Sequence, residues 1–267
     1  MPATPRRVVV LDLGELDMAL AVGVKPVAAA TYTLDAEYPA QLKERAVGIP
    51  RVGTVDQPNL EAIAALDPDV ILSNKVRHER IYDKLSQIAP TVLAEGVGAP
   101  WKQSFAVHAE ALGKAAEGER VMQTYYRRLD EFKQAMGERL GQTHVSIVRS
   151  FPDHVRIYMK QSFIGTIVED AGLPRPPAQD KDIFMERATE ERIPDLDGDV
   201  IFLLYYNRQQ GEQLSRLMQH PLWAQLKAVK AGRVYEVSDD VWGLGLGPLA
   251  ATLVIDDLFA YLVEGGR

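Results

Sequence analysis

The chain has 267 residues, 46% hydrophobic and 25% charged, the make-up of an ordinary globular protein with room for two modest domains or one large α/β domain. A formal net charge of −7 argues against a general surface for nucleic acid or anionic membrane, and no run approaches the ~20 apolar residues of a membrane helix. With no cysteine it can form no disulfide, thiolate metal site or cysteine nucleophile.

The opening, MPATPRRVVVLDLG, enters a strand almost at once and has no charged start followed by an apolar run, so no leader is expected in it. Short apolar, β-branched runs then recur: RVVVLDL, DVILSN, TVLAE, VSIVRSF, VRIYM, DVIFLLYY and RVYEV. Most alternate with helical patterns, which predicts parallel or mixed sheets covered by helices. The exception is Val145–Phe151 followed by Val155–Met159, a hairpin turning through Pro152 and Asp153.

Between these halves, Ala115 to Leu140 is one long helical pattern. Met122, Tyr125, Tyr126, Leu129, Phe132 and Met136 form a single apolar stripe. About 24 residues at ~1.5 Å each make a rod of ~36 Å, long enough to be either a surface helix of one domain or a spine joining two lobes. An internal repeat favours the spine. Glu61–Ile71 reads EAIAALDPDVI and Glu191–Ile201 reads ERIPDLDGDVI; both fit E-x-I-x-x-L-D-x-D-V-I, with seven of eleven positions identical. Each is a short helix, a turn and a buried strand, and the pair lies on opposite sides of the long helix. The expected domains are 1–114, a linking helix 115–142, and 143–267.

The last stretch, DDVWGLGLGPLAATLVIDDLFAYL, is not a nucleotide fingerprint. G-x-G-x-x-G would need glycine where Pro248 stands, and neither a P-loop nor a G-x-S-x-G elbow occurs. Pro248 fits the first position of a helix. The glycines are expected to let the backbone turn sharply while Trp242 projects toward a flat or apolar ligand. The five histidines include no i,i+4 pair and no H-x-H, and His144 and His154 fit surface or packing roles. The acidic pairs Asp239–Asp240 and Asp256–Asp257 fit solvated faces or helix ends. Nothing in the pattern asks for a catalyst or a protein-bound metal.

The arginines carry more. Arg77 follows the strand DVILSN, where open α/β sheets bind ligands. Arg149 shares a strand face with Val145 and Ile147, so it needs an anion or a carboxylate partner. Arg156 and Tyr158 share a face of the next segment, and Tyr205 and Tyr206 end DVIFLLYY. Arginines and aromatics gathered at strand ends predict a site for a bulky, partly anionic ligand.

Nearly the whole chain resembles the iron–siderophore substrate-binding proteins of bacterial ABC importers, in the clan that also binds vitamin B12. The resemblance runs through RVVVLDLGELDMALAVGVKPVA, VGTVDQPNLEAIAALDPDVILSN, YDKLSQIAPTV, SFIGTIVEDAGLPRP, PLWAQLKAVKAGRVYEV and DDVWGLGLGPLAATLVIDDL. It implies two Rossmann-like α/β lobes joined by a single long α-helix, with the ligand in a cleft between the lobes. It implies a non-enzymatic, monomeric receptor that carries an iron(III)–siderophore complex to an ABC permease and needs no cofactor. The ligand residues it suggests, with those read above, are Arg77, Trp101, Arg149, Arg156, Tyr158, Tyr205 and Trp242; Glu61 and Glu191 match the family's permease-docking glutamates. An extracytoplasmic, periplasmic or lipoprotein location is implied by the resemblance alone, since leader and lipid-bearing cysteine are missing from this sequence. The same scaffold binding cobalamin or haem is the nearer alternative, and a cytosolic α/β enzyme or metal chaperone the remoter one.

Overall fold

Val8–Val10 (β1), the run that opens the sequence, lies at the centre of a five-stranded sheet. With Ala28–Thr31 (β2), Arg51–Thr54 (β3), Val70–Asn74 (β4) and Thr91–Ala94 (β5) it gives the order β3-β2-β1-β4-β5, every pairing parallel. The computed structural model describes residues 4–34, 37–96 and 98–265, and two units are distinct in it. The first takes the chain up to Tyr126 together with Leu244–Thr252; the second takes Arg127–Gly243 and the chain from Leu253 on. In β1 and β4, Val8, Val9, Val10, Val70, Ile71 and Leu72 are all wholly buried. A strand covered on both faces has no reason to alternate, so these read as unbroken apolar runs.

The second unit holds Val145–Ser150 (β6), Val155–Tyr158 (β7), Met185–Ala188 (β8), Val200–Tyr205 (β9) and Val234–Glu236 (β10), in the order β10-β9-β6-β7-β8. β6 and β10 both run parallel to β9, while β7 is antiparallel to β6 and to β8, so β8 runs with β6. The hairpin predicted at Pro152–Asp153 is present, closed by the Phe151 N–H donating to the His154 carbonyl at 2.8 Å.

The long helix is Ala115–Met136, continued by a 3₁₀ segment, Gly137–Gln142. Tyr125, Leu129, Phe132 and Met136 are buried, but Tyr126, placed on the same stripe from the sequence, is 46% exposed. Its solvent face carries Arg128–Glu131 and Lys133–Asp130 pairs at i,i+3, the ordinary surface chemistry of such a helix.

The last helix, Pro248–Leu258, starts at proline, and its next two N–H groups are capped from far away in the chain. The Asp17 carboxylate, in the first helix Leu13–Ala21, accepts from the Leu249 and Ala250 N–H groups at 2.9 and 3.0 Å. Here the reading of the glycine stretch is corrected: the left-handed residue is Leu246, with φ 57°. The glycines make room instead. A Cβ on Gly247 would lie 2.4 Å from Asp17 Oδ1, and one on Gly243 would lie 2.8 Å from both Arg149 Cζ and Asp239 Oδ1.

Candidate functional site

In the first unit the strand order reverses between β1 and β4, and side chains beyond their carboxyl ends meet there, the usual place for a ligand in an open α/β sheet. Asn74, the last residue of β4, caps the one-turn helix Lys75–His78 through Arg77 N–H (3.1 Å), which fixes where Arg77 starts. Its Nε donates to Asp12 Oδ2 at 2.9 Å, and its guanidinium lies 5.8 Å from the Tyr32 ring centre. Asp12 is wholly buried just past β1. Burial and the nearby Glu15 charge push it up to about 6, in spite of Arg77. Lys75, Val76, Arg77, Glu79 and Arg80 line an open hollow of about 550 Å³.

Trp101 is not at this site. It is wholly buried at the start of the helix Trp101–Ala111, edge-on to Tyr125 at 5.4 Å. The expectation of a ligand-stacking role is corrected: the Trp101 ring is wholly buried, so it offers a ligand no face.

In the second unit, β6, β7 and β8 bring three arginines into one row. Arg149 lies directly opposite Arg156, and Arg156 opposite Arg187. Residues so paired share a face, and like charges directly opposite destabilise a sheet. Arg149 is relieved by the chain itself: its Nε and one NH2 donate to the two oxygens of Asp239, both at 2.6 Å, and NH1 donates to the Tyr158 hydroxyl at 2.9 Å. The carboxylate partner demanded by its apolar strand face is therefore Asp239. Arg149 and Tyr158 are both buried. Arg156 Nε donates to His154 Nε2 at 2.7 Å, and His154 Nδ1 lies 2.7 Å from Asp153, which requires the Nδ1–H neutral tautomer. Neither Arg156 nor Arg187 has a carboxylate partner among the ion pairs of the described residues.

Phe151 sits among these cations. The Arg156 and Arg149 guanidiniums lie 4.2 and 4.8 Å from its ring centre, the His154 ring stacks on it at 4.7 Å, and the half-exposed Tyr206 ring stacks at 5.2 Å. Tyr205, the last residue of β9, is partly covered, with the Arg208 guanidinium 5.5 Å from its ring centre. The sequence suggested Arg149, Arg156, Tyr158, Tyr205 and Tyr206 here. It missed Phe151, His154, Arg187 and Asp239. Arg187 lies in a strand of sequence MERA, which offers no apolar signal to follow.

Trp242 is also corrected. It does not project from its loop: it is 1% exposed, its ring is 4.6 Å from that of Phe202, and its Nε1–H donates to Asp257 Oδ2 at 2.7 Å. One member of each acidic pair is thus an internal partner, Asp239 for Arg149 and Asp257 for Trp242, and burial raises the pKa of both.

Glu61 and Glu191 are exposed, each the second residue of the short helix that leads from one strand of its sheet to the next in sequence. Glu61 follows β3 and precedes β4; Glu191 follows β8 and precedes β9. Asn59 caps the first helix; at the second, a hydrogen bond from the Thr189 hydroxyl holds Glu191 below the usual carboxylate range. Among the described residues no group of three or more His, Asp or Glu side chains comes together to hold a metal, and no helix is long and apolar enough to cross a membrane.

A family model described as "Periplasmic binding protein" matches residues 8–241. A Bacillus subtilis protein named "Probable siderophore-binding lipoprotein YfiY" is 38% identical over 275 residues, covering 99% of this chain and 84% of its own length. The "Achromobactin-binding periplasmic protein" of Dickeya dadantii is 30% identical, with 95% and 85% covered. Among solved structures, Staphylococcus aureus SirA complexed with staphyloferrin B superposes with a TM-score of 0.88 at 31% identity, covering 96% of this chain and 92% of that one.

Proposed function

Because the chain belongs to the periplasmic binding protein family, whose members bind and do not catalyse, we propose that it is an extracytoplasmic receptor for a ferric siderophore and hands it to an ABC permease. The siderophore-binding relatives and the staphyloferrin B complex support that cargo over cobalamin or haem. The observation that carries the reading is the row Arg149–Arg156–Arg187 around Phe151 and Tyr206. Among the described residues two of its three arginines form no ion pair with a carboxylate, so an anionic chelate is suited to pair with them, and aromatic faces take its flat parts. The iron is cargo, already chelated, so no set of protein ligands is required.

Delivery is assigned to Glu61 and Glu191, two exposed carboxylates at matching places in two units, suited to a two-point dock on cationic pockets of a permease.

Titration against ferric citrate-type, tricatecholate and trihydroxamate complexes, with cobalamin and haem as controls, tests the reading. Anionic ferric complexes should bind most tightly, and Arg156→Ala with Arg187→Ala should weaken them by at least about tenfold. Binding of cobalamin or haem in preference to every ferric chelate would overturn the reading. For delivery, Glu61→Ala with Glu191→Ala should leave affinity unchanged and abolish uptake in cells; normal uptake refutes the dock.

A further inference from the structure

Arg149 differs from the other two arginines of its row in being closed off. Its side chain is 5% exposed and that of Asp239 10%. Three of its five N–H groups are engaged, two by the fork of Asp239 and one by the Tyr158 hydroxyl. The backbone of Gly243 lies over the guanidinium, so near that a Cβ there would stand 2.8 Å from Cζ and 2.9 Å from Nε. Arg149 therefore offers a ligand little surface, and its charge is cancelled at contact distance in a poorly solvated place, where a pair acts as one neutral group at longer range. Arg156 is partly covered and Arg187 exposed, and both keep their charge.

We infer that Asp239 is a built-in counter-ion that sets the charge of the ligand face: it silences Arg149, so that the row presents two positive charges and not three. Asp239 is thereby a specificity-determining residue without being a ligand contact. This rests on the proposed ferric-chelate reading and deepens it. A face with one charge fewer holds a highly anionic chelate less tightly and discriminates less sharply against a neutral one, which suits a carrier that must also let go. The first unit contains a more open version of this pairing, with the Arg77 side chain 27% exposed. Arg77, in the one-turn helix just past β4, is held by Asp12, a wholly buried aspartate at the head of the first helix, as Asp239 opens the helix Asp239–Trp242. In both units a strand-end arginine is matched with a carboxylate remote in sequence, at separations of 65 and 90 residues.

The test is Asp239→Asn, which keeps the side chain's shape and a carbonyl to accept from Arg149 Nε while removing the charge. Affinity is measured for a triply anionic ferric tricatecholate and a neutral ferric trihydroxamate, at two ionic strengths. Affinity for the anionic chelate should rise about tenfold with a steeper salt dependence, and that for the neutral chelate should change less than about twofold. An equal change for both chelates, or none for the anionic one, overturns the inference. If D239N fails to fold, Arg149→Gln with Asp239→Asn replaces it, leaving no charge buried. That pair should keep the wild-type preference between the two chelates; loss of the preference would show that the ligand reads the Arg149 charge directly. Wild-type protein that binds neither chelate would instead overturn the proposed function.

Discussion

Asp17→Asn should change how stability depends on pH. Asp17 is wholly buried, and its carboxylate accepts the Leu249 and Ala250 N–H groups. Burial outweighs those two bonds and raises its pKa from 3.8 to about 7. For a carboxyl raised on folding, the folded state binds the proton more tightly than the unfolded state does, so protonation favours folding. That contribution is fully present below about pH 4 and is lost as pH rises through about 7, at roughly 1.4 kcal/mol per pH unit in between. Between pH 5 and 8 it amounts to about 2–3 kcal/mol, or on the order of 5–10 °C in Tm for a chain of this size. Asp12, raised to about 6 by burial and by Glu15, slopes the same way at lower pH, so the quantity to read is the difference between wild type and variant. Melting curves at pH 5, 6, 7 and 8 and constant ionic strength should show the wild type losing that much relative to D17N. A difference in Tm that stays constant within about 1 °C over this range would refute the argument, because Asp17 would then titrate as an ordinary exposed carboxyl.

Trp242→Phe removes the indole N–H from the half-buried Asp257 while keeping most of the contact with Phe202, so stability should fall by about 1–3 kcal/mol and chelate affinity should stay within about twofold. Unchanged melting with affinity down more than tenfold would place Trp242 at the ligand after all. Gly247→Ala forces a methyl to 2.4 Å from Asp17 Oδ1 and must displace the carboxylate that caps the last helix. Its cost should be about 1–3 kcal/mol in chemical denaturation, and wild-type stability would mean that the loop yields without disturbing the cap.

Local pattern was enough for much of this protein. The buried strands β1, β4, β6 and β9 announce themselves as apolar runs, the long helix as a stripe, and the two lobes as a repeat, because each depends on neighbours a few residues apart. Strands β2, β3 and β8 were not visible. AAAT, RVGT and MERA have weak strand character, and they are strands because a partner's edge takes up their backbone hydrogen bonds. The site divides in the same way. As candidates, Arg77, Arg149, Arg156, Tyr158 and Tyr205 stand out by strand-end position and side-chain parity. What each one does depended on residues far along the chain: Asp239 closing Arg149, register setting Arg187 beside Arg156, and Asp257 taking the Trp242 N–H. Trp242 and Trp101 read as ligand surfaces in the sequence because an aromatic side chain gives no local sign of what will cover it. Only folding brings up the side chains that bury an indole or neutralise a guanidinium, and burial decides which charges remain for a ligand.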